Sequence, residues 1–156
     1  MLLPLTAEGI DGMRDNDVRR ALQRGDSAIG LMVFEFGTPG VGRMARAAGA
    51  DFVLFDMEHS GFSPETVKAL LDAARAAHIT PFARVRDPRR SSVSQVLDLG
   101  AMGIMVPMVE SEEQARQIVH FSKYPPHGRR GAAFGVAHDD YHDGDVVEKM
   151  RSSDEE

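Results

Sequence analysis

Apolar runs of strand length alternate with amphipathic helical stretches along most of this chain, and no other feature narrows the possible folds as much. Ala28 to Phe36 (AIGLMVFEF) reads as a buried strand, followed by a short small-residue helix from Gly40 to Ala48. Asp51 to Phe55 (DFVLF) is the second strand. Ser63 then starts a helix: its hydroxyl suits the cap, Pro64 suits the first turn, and Glu65 favours the positive end of the dipole. Val67, Leu70, Leu71 and Ala74 give that helix one apolar face. Thr80 to Val85 is the third strand. Asp87-Pro88 opens another helix, with Val93, Val96 and Leu97 inward and Gly100 as its stop. Gly103 to Met108 (GIMVPM) is the fourth strand. Ser111 and Gln114 have capping-box spacing for a fourth helix whose inward residues include Ala115, Ile118 and Val119.

The result is an α/β fold with four β-α units in a row. Strand centres near Val53, Phe82 and Met105 are 29 and 23 residues apart, which suits parallel strands joined by helical crossovers. Two architectures fit, a doubly wound open sheet that binds a small ligand or part of a (β/α)₈ barrel. No Gly-x-Gly-x-x-Gly turn follows a strand, which argues against the dinucleotide-binding version of the first. A full barrel takes about 250 residues. These 156 residues therefore correspond to at most about half of one. The expected organisation is an N-terminal segment with a short helix (1–27), four β-α units of a partial barrel (28–123), and an irregular loop with a solvated tail (124–156). Val146 to Met150 is the one short helical stretch expected there, and Arg151 to Glu156 reads as solvated.

Composition excludes several function classes. With 42% hydrophobic and 27% charged residues the chain suits one globular domain. A formal net charge of −6 argues against sequence-independent nucleic-acid binding. No apolar stretch reaches the roughly 18 residues needed to span a membrane, and Met1-Leu2-Leu3-Pro4-Leu5 lacks the basic start of a signal peptide. A soluble, cytoplasmic protein is expected. There are no cysteines, so disulfides, thiolate nucleophiles and Cys-ligated zinc are excluded.

The richest chemistry lies in Asp56-Met57-Glu58-His59, directly after the second strand. Strand C-terminal ends collect catalytic groups in parallel α/β folds. Three ionisable groups in four positions exceed what packing requires, although an exposed acidic turn with an incidental histidine has the same composition. His59 can act as a general base near neutral pH. Arg84, at the end of the third strand, can grip a carboxylate through two parallel hydrogen bonds or steady a developing enolate. A surface ion pair to a neighbouring acid is the plainer alternative for Arg84, and Arg86 competes for its role. Asp98 ends the third helix, where a carboxylate opposes the dipole and calls for a positive partner. His138-Asp139-Asp140-Tyr141-His142-Asp143 is dense in possible metal ligands but lies in irregular chain, and is read as a solvated loop. Gly128-Arg129-Arg130-Gly131 could hold an anion, on weak evidence.

Together these residues resemble a known family. Gly49-Ala50-Asp51-Phe52-Val53, Asp56-Met57-Glu58-His59, Arg84, Leu97-Asp98-Leu99-Gly100, Val106-Pro107-Met108-Val109 and Lys123-Tyr124-Pro125-Pro126-His127-Gly128-Arg129-Arg130-Gly131 look like the HpcH/HpaI aldolases, metal-dependent class II pyruvate-type aldolases related to the citrate lyase β-subunit. The resemblance runs from about Leu22 to Tyr141. It implies a TIM (β/α)₈ barrel, truncated here to about its first four units. It implies a lyase that cleaves 4-hydroxy-2-oxo acids to pyruvate and an aldehyde through a pyruvate enolate. By carry-over, His59 matches the catalytic base and Arg84 the arginine that binds the pyruvyl group. Asp98 matches the acid that raises the histidine's basicity, and Asp56 and Glu58 match supporting groups. A helix-end Asp98 should lie far from His59, so the helix is short, the segment bends, or a neighbouring subunit supplies the acid. A divalent ion (Mg²⁺, Mn²⁺ or Co²⁺) is implied. Its ligands in the family come from a Gln-Ile-Glu strand and a Gly-x-x-Asp-Leu turn, neither of which occurs in this chain, so no metal ligand is expected here. The implied partners are a small 2-oxo acid and further copies in a homo-oligomer, with no nucleic acid and no membrane. The alternative is a catalytically incomplete half-barrel that acts only by association with another chain.

Overall fold

The structure, a computed structural model, describes residues 15–156. Residues 1–14 of the expected N-terminal segment lie outside the described residues; its short helix is α1, Asp17–Gln23, capped by the Asn16 side chain. Four strands follow, β1 (Gly30–Val33), β2 (Phe52–Asp56), β3 (Thr80–Arg84) and β4 (Gly103–Met105). The helices between and after them are α2 (Val41–Ala47), α3 (Pro64–Ala76), α4 (Arg90–Asp98) and α5 (Glu112–Ser122). The chain closes with a 3₁₀ turn, Ala137–Asp139, and α6, Val146–Glu155.

All strand pairs are parallel, in the order β1-β2-β3-β4. This order decides between the two expected architectures. A doubly wound sheet reverses strand order at a switch point, whereas here the sheet grows in one direction. The core lies on one face, where Val53 and Phe55 of β2 and Ala83 of β3 meet Val41 and Ala45 of α2, Val67, Leu70, Leu71 and Ala74 of α3, and Val96 of α4. Parallel strands covered by helices on one side, in sequential order, are the geometry of a barrel wall. Gly42 lets α2 approach α3 closely, because a Cβ there would press on the Ala74 backbone.

The opposite face carries a row of large and small residues. Phe52 and Phe82 stack at a tilt, with ring centroids 5.2 Å apart. Gly30 on one flank and Gly103 on the other leave room for these rings, since a Cβ at either would overlap the neighbouring phenyl group. Alternating size across facing positions is how a barrel interior fills.

Several expectations change. β1 stops at Val33, not Phe36, because its last partner is Phe55 of β2; Phe34 and Phe36 project into solvent. α5 buries no residue: Ala115 and Val119 are exposed and Ile118 is half-buried. It packs beside α4, and β4 is the last strand among the described residues. The tail expected to be solvated is the second half of α6, longer than the stretch from Val146 to Met150. Asp154 accepts from the Tyr124 N–H at 2.9 Å, and Glu156 accepts from the Asn16 N–H at 2.9 Å. The loop read as solvated is anchored too. His138 and Asp139 are buried, and Asp139 accepts from the Gly135 and Val136 N–H groups and from Lys149.

Candidate active site

The C-terminal tips of β2 and β3 bring the sequence-selected residues together. Asp56 and Arg84 are register partners. Arg84 donates through Nε to Asp56 Oδ1 at 2.8 Å and through Nη2 to Oδ2 at 2.7 Å, a bidentate fork. Asp56 is fully buried, and its two oxygens also accept from the backbone N–H groups of Glu58 (2.8 Å) and His59 (3.2 Å). One carboxylate thus fixes both the guanidinium and the turn that follows β2. The Arg84 hydrogen bonds hold the Asp56 carboxyl below its usual range against the burial that opposes ionisation, and the two N–H groups add to the effect.

The turn is pinned at both ends. Met57 and Phe62 are buried in the core. Arg86 donates to the Met57 carbonyl (3.2 Å) and the Phe62 carbonyl (2.9 Å). This separates the two competing arginines: Arg86 holds backbone, and Arg84 faces carboxylates. Between the pins, Glu58 Oε2 stands 3.2 Å from Arg84 Nη1 and 3.6 Å from His59 Nε2. The His59 side chain is 69% exposed, while Glu58 is 19% exposed and Arg84 18%. The imidazole therefore sits on the rim in water, with the guanidinium behind it, partly desolvated and oriented.

Asp98 is not part of this group within the chain. It ends α4, which runs back toward the start of β4, the opposite end of the sheet from His59. Its Oδ1 accepts from Arg130 Nε (3.1 Å) and Nη2 (2.7 Å). This is the positive partner that the helix end called for. Arg130 is buried and lies over the Tyr124 ring, 4.8 Å from its centroid. The arginines of Gly128-Arg129-Arg130-Gly131 therefore divide, with Arg130 holding Asp98 and Arg129 exposed. The Tyr124–Arg130–His138 cluster forms in irregular chain, where no helix or strand period signals that its members meet. Tyr124 Oη lies 3.3 Å from His138 Nε2, and burial pushes the Tyr124 hydroxyl up to about 12 and His138 down to about 4.

The residues at the strand tips do not by themselves fit a divalent ion. Among the described residues no group of three or more His, Asp or Glu side chains is placed to hold one. Asp56 and Glu58 both face Arg84, which already supplies the positive charge in that space. Nor, among the described residues, is any helix long and apolar enough to cross a membrane.

The chain is 37% identical over 133 residues to a 2-keto-3-deoxy-L-rhamnonate aldolase of Klebsiella pneumoniae, covering 82% of this chain and 48% of that protein. It thus spans about half the length of the curated relatives it matches. The crystal structure of an HpcH/HpaI aldolase from Desulfitobacterium hafniense superposes with a TM-score of 0.82 at 29% identity, over 87% of this chain and 52% of that one. Citrate synthase SbnG superposes with a TM-score of 0.69 at 38% identity, over 74% and 46% of the two chains. A sequence model of the family described as HpcH/HpaI aldolase/citrate lyase matches residues 33–150, and the chain belongs to that family.

Proposed function

We propose that this chain carries the base and the anion-binding arginine of a lyase that breaks, or in reverse forms, a carbon–carbon bond next to a 2-oxo acid. The observation that carries this reading is the convergence of His59 and Arg84 on one oxygen of Glu58 at adjacent strand tips. Aldolase and citrate synthase relatives support carbon–carbon chemistry in either direction.

For a 4-hydroxy-2-oxo acid, Arg84 binds the carboxylate through its donors and places a fixed positive charge beside the C2 oxygen. His59, exposed and within reach of the rim, takes the C4 hydroxyl proton. The C3–C4 bond breaks, the aldehyde leaves, and the electron pair moves onto the C2 oxygen as the pyruvate enolate. The proton returned to C3 gives pyruvate. Asp56 fixes Arg84, and Glu58 sits between the guanidinium and the imidazole. A part for Asp98 requires a neighbouring subunit to deliver it. The test is pyruvate release from a 4-hydroxy-2-oxo acid, followed with added Mg²⁺, Mn²⁺ or Co²⁺. His59→Ala and Arg84→Ala should each cut turnover at least about 100-fold, the scale of losing a positioned base and a charge-stabilising donor respectively. Wild-type rates in both variants would remove the assignment.

The second reading, a half-barrel working by association, is supported by the apolar edges. Among the described residues β1 and β4 each pair on one side only, and Phe34, Phe36, Met105 and Met108 near them are 47–73% exposed. Sedimentation of the 156-residue chain distinguishes the readings: a monomer with pyruvate-releasing activity argues against association, and an inactive oligomer argues for it.

A further inference from the structure

Arg84 presents three nitrogens, and their partners are unequal. Nε and Nη2 are held by Asp56, which is fully buried and fixed by two backbone N–H groups. That side of the guanidinium cannot exchange partners without unmaking the turn. Among the described residues, Nη1 has its ion pair with Glu58, at 3.2 Å. It is the position an incoming carboxylate can claim, and a carboxylate already holds it. The same Glu58 oxygen lies 3.6 Å from His59 Nε2, so a small side-chain rotation moves the acid from the guanidinium to the imidazole.

We propose that Glu58 is an internal competitor for the carboxylate seat on Arg84, and that it turns to His59 when a 2-oxo acid takes that seat. The proposal rests on the reading of Arg84 as the oxo-acid anchor. Two carboxylates cannot share one Nη1 edge without like-charge repulsion, so ligand and Glu58 exclude each other. With the ligand absent, Glu58 neutralises a partly desolvated guanidinium. With the ligand present, the displaced acid faces the imidazole that accepts the reaction's proton. A weakly held anion without further contacts would fail to displace it, which gives the seat a threshold against incidental carboxylates.

The experiment is calorimetric titration of the chain with pyruvate as the probe, alongside ¹⁵N spectra of the histidine rings. Glu58→Gln keeps the shape and removes the charge. It should bind pyruvate about tenfold more tightly than the wild type, because no ion pair with Arg84 then has to be displaced. Glu58→Asp, with its carboxylate drawn back, should fall between them. Pyruvate should shift the His59 ring signals in the wild type and leave them in place in Glu58→Gln. Equal or weaker binding by Glu58→Gln overturns the inference alone, provided Arg84→Gln loses pyruvate. Retained binding in Arg84→Gln, or no binding by wild type and Glu58→Gln alike, overturns both the inference and the anchor role of Arg84.

Discussion

Asp56 and Arg84 face each other across β2 and β3 as register partners, so the pairing of the backbone itself delivers the guanidinium to the carboxylate at 2.7 and 2.8 Å. A slip of one residue would send Arg84 to the helix-covered face. The site and the sheet therefore depend on the same alignment, and changes at this pair should register in stability as well as in activity.

Removing the carboxylate tests that coupling. Asp56→Ala leaves Arg84 without its fork and the turn without its two acceptors, and should cost about 3 kcal/mol. Arg84→Lys keeps the charge but not the bidentate geometry and should cost less, about 1–2 kcal/mol. Urea unfolding of the variants measures both; a neutral Asp56→Ala would show that the pair is dispensable to the fold.

Acid should act through the same carboxylate. The folded-state value of Asp56 is depressed below 3.8, so its contribution is complete above that value and is lost as pH falls through the folded value. Wild type should lose stability at the acid end of the curve more steeply than Asp56→Asn, as followed by thermal melts across pH.

His138 predicts a second, separate window. Burial, with the Arg130 charge adding to it, pushes this imidazole down to about 4 from 6.5. The unfolded chain then binds the proton first, so stability is fully present above 6.5 and declines as pH falls toward 4. His138→Gln should flatten melting temperature across that interval, and an unchanged slope would assign the dependence elsewhere.

Asp98 is expected to behave as a structural acid within one chain. Asp98→Ala strands the buried Arg130 over Tyr124, and should cost about 2 kcal/mol because Asp98 itself is partly solvated. Arg130→Ala should cost a similar amount, and the double variant less than the sum. Additive losses in a double-mutant cycle would dissolve the pair.

Gly128 should tolerate no side chain. Its N–H bonds to the Tyr124 carbonyl at 2.8 Å, and a Cβ would overlap the Lys123 and His120 carbonyl oxygens. Gly128→Ala should therefore destabilise by about 3 kcal/mol or more. Circular dichroism melts of that variant provide the check.

What could be read from the chain alone follows from short-range physics. The 29- and 23-residue strand spacing, the Ser63 and Ser111 caps and the apolar face of α3 are local signals, and each element appears where they put it. Asp56, Glu58, His59 and Arg84 were legible for the same reason, since they sit at strand ends, where parallel α/β folds collect chemistry. Tertiary structure alone decided the rest. It chose sequential strand order over a doubly wound sheet, gave Arg84 the carboxylates and Arg86 the carbonyls, and tied Asp98 to Arg130. It also folded the apparently solvated tail onto Tyr124 and Asn16. Those outcomes depend on which groups meet across 24 to 140 residues of chain, and a local pattern carries no information about a partner that distant.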